Sequence, residues 1–108
     1  MAETFKMYNA SLTTETANVY VCPAGTTAIF ILGQVANADG ANSADMTIVA
    51  TDSSNTSTKF LAKTIPVPSD AATSFLTGKL VLEAGDYLAG SASANDHLDV
   101  TVSVLEIT

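Results

Sequence analysis

Apolar and polar residues alternate along much of this chain, and the alternation is clearest in the last segment. In Leu98-Asp99-Val100-Thr101-Val102-Ser103-Val104-Leu105-Glu106-Ile107, the residues Leu98, Val100, Val102 and Val104 share one face. Asp99, Thr101 and Ser103 fall on the other, as in a strand with one dry and one wet face. Leu105 and Ile107 break the polar pattern and would sit in water unless something covers them. The run Thr27-Ala28-Ile29-Phe30-Ile31-Leu32-Gly33-Gln34-Val35-Ala36-Asn37 is apolar on both faces, which predicts a central strand buried on both sides. Its β-branched content and the preceding Pro23-Ala24-Gly25 turn argue against a helix. Gly33 within it predicts a bulge or a close backbone approach.

The same pattern predicts strands over Phe5 to Leu12, Asn18 to Cys22, Asp45 to Thr51, Thr58 to Ile65, Gly78 to Glu83 and Asp86 to Ser93. Clusters of Asp, Asn, Gly, Ser and Pro separate them, as turns require. Pro66 and Pro68 confine their stretch to an edge strand or a crossing loop. Ser69 to Leu76 has room for one helical turn, and no segment reads as a long amphipathic helix. The expected fold is all-β: a single antiparallel β-sandwich, immunoglobulin-like or jelly-roll-like, of about seven to nine strands. At 108 residues the chain makes one domain, over residues 1–108.

Composition limits what such a domain can do. Hydrophobic residues make up 47%, much of it Ala and Val, with no Trp. A core of small side chains buries less apolar area per residue, so help from oligomerisation or docking is expected. The net charge is −7, from eleven acids against four basic residues, all Lys. That balance argues against nucleic acid and against anionic membranes. No apolar run approaches the ~20 residues of a bilayer span, and no secretion signal is visible at Met1 to Lys6. The expectation is a soluble protein made in the cytoplasm.

Candidate chemistry is sparse. Cys22 is the single cysteine, so no intrachain disulfide forms, and its setting between Val21 and Pro23 suits a small buried hydrophobe. His97 is the single histidine and reads as a solvated turn residue, with no triad signature around it. The loop Asp39 to Asp45 offers three oxygen-bearing acids and amides but lacks EF-hand spacing; its Asp and Asn are turn formers. Glu83 with Asp86, and Asp96 with Asp99, are acid pairs without the aromatic residues a glycosidase uses for stacking, and read as solvated. No phosphate-binding glycine motif occurs. No enzyme activity, cofactor or metal is expected.

One resemblance adds a family. Asn18-Val19-Tyr20-Val21-Cys22-Pro23-Ala24-Gly25-Thr26-Thr27-Ala28-Ile29 resembles a turn-and-strand pattern of small tailed-bacteriophage structural proteins. Leu61-Ala62-Lys63-Thr64-Ile65-Pro66-Val67-Pro68, Gly78 to Asp86 and the C-terminal strand resemble the same group in the same order. Cys22 departs from the polar or β-branched residue that pattern has there. The resemblance implies a virion component, most simply a capsid decoration protein binding the major capsid protein lattice as a trimer or dimer. Neck, tail or tail-fibre structural roles, or another virion protein as partner, are the alternatives. A carbohydrate- or cell-binding module would instead use loops such as Ala38 to Ala44 and Ala94 to His97. The candidate partner contacts are Phe5, Met7, Tyr8, Leu105 and Ile107, with residues 1–8 as a contact arm.

Overall fold

The computed structural model describes residues 2–76 and 78–108. Nine strands run in order: β1 (Glu3–Ser11), β2 (Ala17–Val21), β3 (Thr27–Asn37), β4 (Ala44–Asp52), β5 (Ser57–Val67), β6 (Ala72–Ser74), β7 (Leu80–Leu82), β8 (Tyr87–Ala92) and β9 (Leu98–Ile107). They form two antiparallel sheets. One has the order β1-β9-β3-β6, with β7 also paired to β3, and is called sheet A below; the other has the order β2-β8-β4-β5 and is called sheet B. Chain-adjacent β1 and β2 lie in opposite sheets, while the first and last strands are neighbours. That is the strand order of a jelly roll, with one position shared by the short β6 and β7. It resolves the two sandwich types the sequence left open.

The core follows from the alternation. Phe30, Val35, Met46, Ile48, Val67, Leu88, Leu98, Val100, Val102 and Val104 are fully buried between the sheets. Gly33 lies on this inner face, where an added Cβ would meet the Phe75 ring at 2.7 Å and Leu76 at 2.8 Å. The β3–β9 register also shifts between Phe30 and Leu32. Gly33 therefore serves the close approach, and the bulge lies two to three residues before it.

Three expectations need correction. Ser69 to Leu76 holds no helical turn: Ala72–Ser74 is β6, paired with Gln34, Val35 and Ala36 of β3. Extended pairing satisfies backbone groups that a single turn after Pro68 would leave open. The β3 strand is central in its sheet but is not buried on both sides, since Ile31 and Leu32 are exposed. Residues 3–8 are not a free arm: β1 pairs with β9 continuously, from Glu3 opposite Ile107 to Ser11 opposite Asp99. Residue 1 lies outside the described residues.

Candidate contact surface

Several polar groups of the chain are turned inward or onto its own turns. The β9 alternation that buries Val100, Val102 and Val104 continues to Glu106, which is only 5% exposed. Its carboxylate accepts from the Tyr20 hydroxyl at 2.6 Å and is paired with the Lys6 ammonium at 3.0 Å. The Tyr8 hydroxyl adds a longer contact at 3.4 Å. Tyr8 and Tyr20 pack ring against ring, 5.1 Å between centroids, and Tyr20 meets Phe30 edge-on at 5.2 Å. The Tyr20 hydrogen bond holds the Glu106 carboxyl below its usual range, with Lys6 acting in the same direction and burial opposing. Burial, then Glu106, pushes the Tyr20 phenol well up. The group lies with inward-facing tyrosines and ties the edge strand β1 to both sheets.

The loop acids are similarly committed. Asp39 Oδ1 accepts from the Ala41 and Asn42 amides, and Oδ2 meets His97 Nε2 at 2.9 Å. His97 is therefore not a solvated turn residue: it is half-buried and paired with Asp39 of the opposite loop, while its Nδ1 has no partner among the described residues. Its reach to Asp39 joins turns far apart in sequence, which spacing alone does not reveal. Asp86 is buried, not solvated, and accepts from Ser53 N, Ser53 Oγ and Glu83 N at 2.9, 3.1 and 3.0 Å. Among the described residues no cluster of His, Cys, Asp and Glu could hold a metal ion. The surface depressions are open and shallow.

The outer face of sheet A is different. The registers place Phe5 opposite Leu105, Leu105 opposite Ile29, and Ile29 opposite Val81. An unbroken apolar row thus crosses β1, β9, β3 and β7, spanning roughly 14 Å at the ordinary strand spacing. Met7, Ile31 and Leu32 flank it on one side, around Ser103, and Ile107 on the other. Phe5 is 72% exposed, Met7 60%, Val81 55%, Ile31 51% and Leu32 41%. The far half of the same face is polar: Asn9, Thr101, Gln34 and Ser74 line up across it, with Ser11 and Asp99 beyond.

Of the predicted contacts, Phe5, Met7, Leu105 and Ile107 share this face, whereas Tyr8 points to the other side of β1 and is half-buried against Tyr20. Sequence reasoning missed Ile29, Ile31, Leu32 and Val81 as surface residues. The signal was present in the apolar run of β3, read there as two-sided burial.

No protein family and no curated protein matches the chain. Among solved structures, the chain is similar over 99% of its length, and 87% of the other's, to a protein described in "Bacillus endospore appendages form a novel family of disulfide-linked pili", with a TM-score of 0.59 and 16% identity. That likeness shows a shared fold. A pentameric capsid protein from metagenomic phage sequences aligns over 90% of this chain and 60% of its own, with a TM-score of 0.48 and 20% identity. The Eiger TNF of S. frugiperda aligns over 94% of this chain and 85% of its own, with a TM-score of 0.46 and 14% identity.

Proposed function

We propose that this domain is a non-enzymatic structural subunit of a virion, fastened to its particle through the outer face of sheet A. The observation that carries the proposal is the row Phe5, Leu105, Ile29 and Val81 on one outer face, its ends Phe5 and Val81 exposed and its middle half-buried. A contiguous apolar patch of this kind marks an interaction surface on a soluble protein. Fully burying one such side chain is favourable by about 1.5–3 kcal/mol relative to leaving it exposed, so a partner covering the row gains several such increments in part. The sequence resemblance to small tailed-phage proteins supports a virion, reached after synthesis in the host cytoplasm, as the setting. In its finer form the protein is a capsid decoration subunit that seats on the major capsid protein lattice as a dimer or trimer.

In this reading no group is assigned to bond-making, and Asp39, Asp86 and Glu106 are committed to turns and to the interior. A disulfide-linked assembly is not part of it either: Cys22 is fully buried, with its thiol directed at the Thr26 and Leu82 carbonyls.

The test is co-sedimentation of the purified protein with capsids lacking it. Wild type is expected to pellet with the particles, while Phe5→Ser and Val81→Lys stay in the supernatant with unchanged circular dichroism. Pelleting of both variants at the wild-type level would overturn the assignment of this face.

A further inference from the structure

The four outermost positions of the two sheets are unequally protected. Sheet B ends on β2, which has five residues and a register shift, and on β5. The β5 edge carries Pro66, two register shifts against β4, a positive φ at Thr64, and Lys59 and Lys63. Short strands, bulges, Pro and Lys are the devices that keep sheet edges from pairing. Sheet A ends on one side with the three-residue β6 and β7. Its other edge, β1, has nine residues in unbroken register, with neither Pro nor Gly.

The hydrogen-bonding phase of β1 follows from its first pair. Ala2 and Thr108 exchange both amide–carbonyl bonds, at 3.2 and 2.9 Å, and Leu12 N donates to Leu98 O at 2.8 Å. In an antiparallel ladder bonded pairs alternate with non-bonded ones, so Thr4, Lys6, Tyr8 and Ala10 also turn their backbone groups to β9. Glu3, Phe5, Met7, Asn9 and Ser11 turn theirs outward. The strand also overhangs the sandwich, because Thr4, Lys6 and Ala10 are exposed although they lie on its inward side.

We propose that β1 is a pairing strand for a second copy of this chain, the two β1 strands running antiparallel about a two-fold axis through Met7. The inference rests on the structural-subunit reading and names its first partner. Centring on Met7 overlaps all nine residues of each strand and matches outward groups with outward groups: Met7 with Met7, Phe5 with Asn9, Glu3 with Ser11. Lys6 then faces Tyr8 of the second copy, so no like charges oppose across the seam. One acid and one Lys make this edge neutral in a chain of net charge −7, which removes the local barrier to self-association. Joining the edges merges both copies of sheet A into one sheet, in which the apolar row of each copy abuts the polar Asn9 row of the other and the two Met7 side chains meet at the seam.

The wild-type protein supplies the direct test, by amide hydrogen exchange followed against protein concentration. The amides of Phe5, Met7 and Asn9 face solvent in the monomer and the seam in the dimer. At a total concentration roughly one hundred times the dissociation constant, about one chain in fifteen stays monomeric, so their exchange is expected to slow about fifteenfold, with light scattering giving nearly twice the monomer mass. Met7→Pro removes an outward donor and leaves the β1–β9 ladder intact, as proline does on an edge. It is expected to be folded and monomeric. Fast exchange at all three amides at every concentration, or a monomeric wild type, overturns the inference, and so does a Met7→Pro protein that still dimerises. A dimer that ignores capsids sinks only the virion reading, and a protein that binds capsids as a monomer sinks only this one.

Discussion

Tyr20 on β2 donates its hydroxyl to the carboxylate of Glu106 on β9, 2.6 Å away, and so bridges the two sheets of the sandwich. Lys6 reaches the same carboxylate from β1. A buried carboxylate is tolerable only when its oxygens are occupied, and here strands from both sheets occupy them. Tyr20→Phe keeps the ring packing and removes one donor. It is expected to cost about 1.5–3 kcal/mol, the range for a hydrogen bond to a charged group, read from the urea midpoint at neutral pH.

The same carboxylate sets a pH dependence. Its folded pKa lies below the unfolded value, so Glu106 contributes stability above the unfolded pKa, near 4.5. That contribution is lost as pH falls through the lower folded pKa. Lys6 has the opposite sign: its pKa is raised by Glu106, so its contribution is full below about 10.5 and fades as pH rises further. Denaturant unfolding from pH 7 to pH 3 should show the wild type losing stability on the acid side. Glu106→Gln should start lower and lose less over that interval; an equal acid loss in both proteins would exclude Glu106 as its source.

The sandwich was legible because strands with one dry face write their period into the chain. Leu98–Ile107 was bounded correctly on that signal, and Thr27–Asn37 on its continuous apolar and β-branched run. The three residues of β6 carry too short a period to read, and they are a strand only because β3 lies beside them. Glu106 was overlooked although the count that buries Val100, Val102 and Val104 runs on to it. A charge at a dry position makes sense only with its partners, and Lys6 and Tyr20 come from strands distant in sequence. Phe5, Met7, Leu105 and Ile107, four residues of the apolar outer face, were singled out from the sequence. The rest of that face was hidden because apolar residues on both faces of a strand look the same whether the cover is the chain's own or another's.

Gly33 and Phe75 form a size-matched pair. A methyl at Gly33 would stand 2.7 Å from the ring and 2.8 Å from Leu76, so the neighbours must shift. Gly33→Ala is expected to destabilise by about 1–3 kcal/mol, the usual cost of overpacking. Combining it with Phe75→Leu should cost less than the sum of the single changes, because the second makes room for the first. Strict additivity in denaturant titrations would show that the two do not meet.

Asp86 joins the turn after β4 to the turn between β7 and β8 by accepting from Ser53 N, Ser53 Oγ and Glu83 N. Asp86→Ala leaves these donors without their acceptor, at about 1–3 kcal/mol for each one that water does not reach. Asp86→Asn keeps one acceptor oxygen and should lose less. Amide exchange at Ser53 and Glu83 should quicken in Asp86→Ala while amides of β9 hold their protection relative to global unfolding. Uniform loss across the domain would mean that the clamp sets global stability rather than local order.

Cys22 gives a readout of opening that needs no mutation. It is fully buried, its thiol contacts the Thr26 carbonyl at 3.3 Å, and burial pushes its pKa up. Both effects suppress the thiolate that reacts with disulfide reagents. An aromatic disulfide should therefore label the native protein slowly and the urea-unfolded protein at once, one thiol per chain. Because the contacts around Cys22 join the start of β3 to β7, labelling in mild denaturant tracks separation of this end of the sandwich. If the labelling rate instead matches that of a free thiol in native buffer, the end opens without global unfolding, and the core at Cys22 is looser than its packing implies.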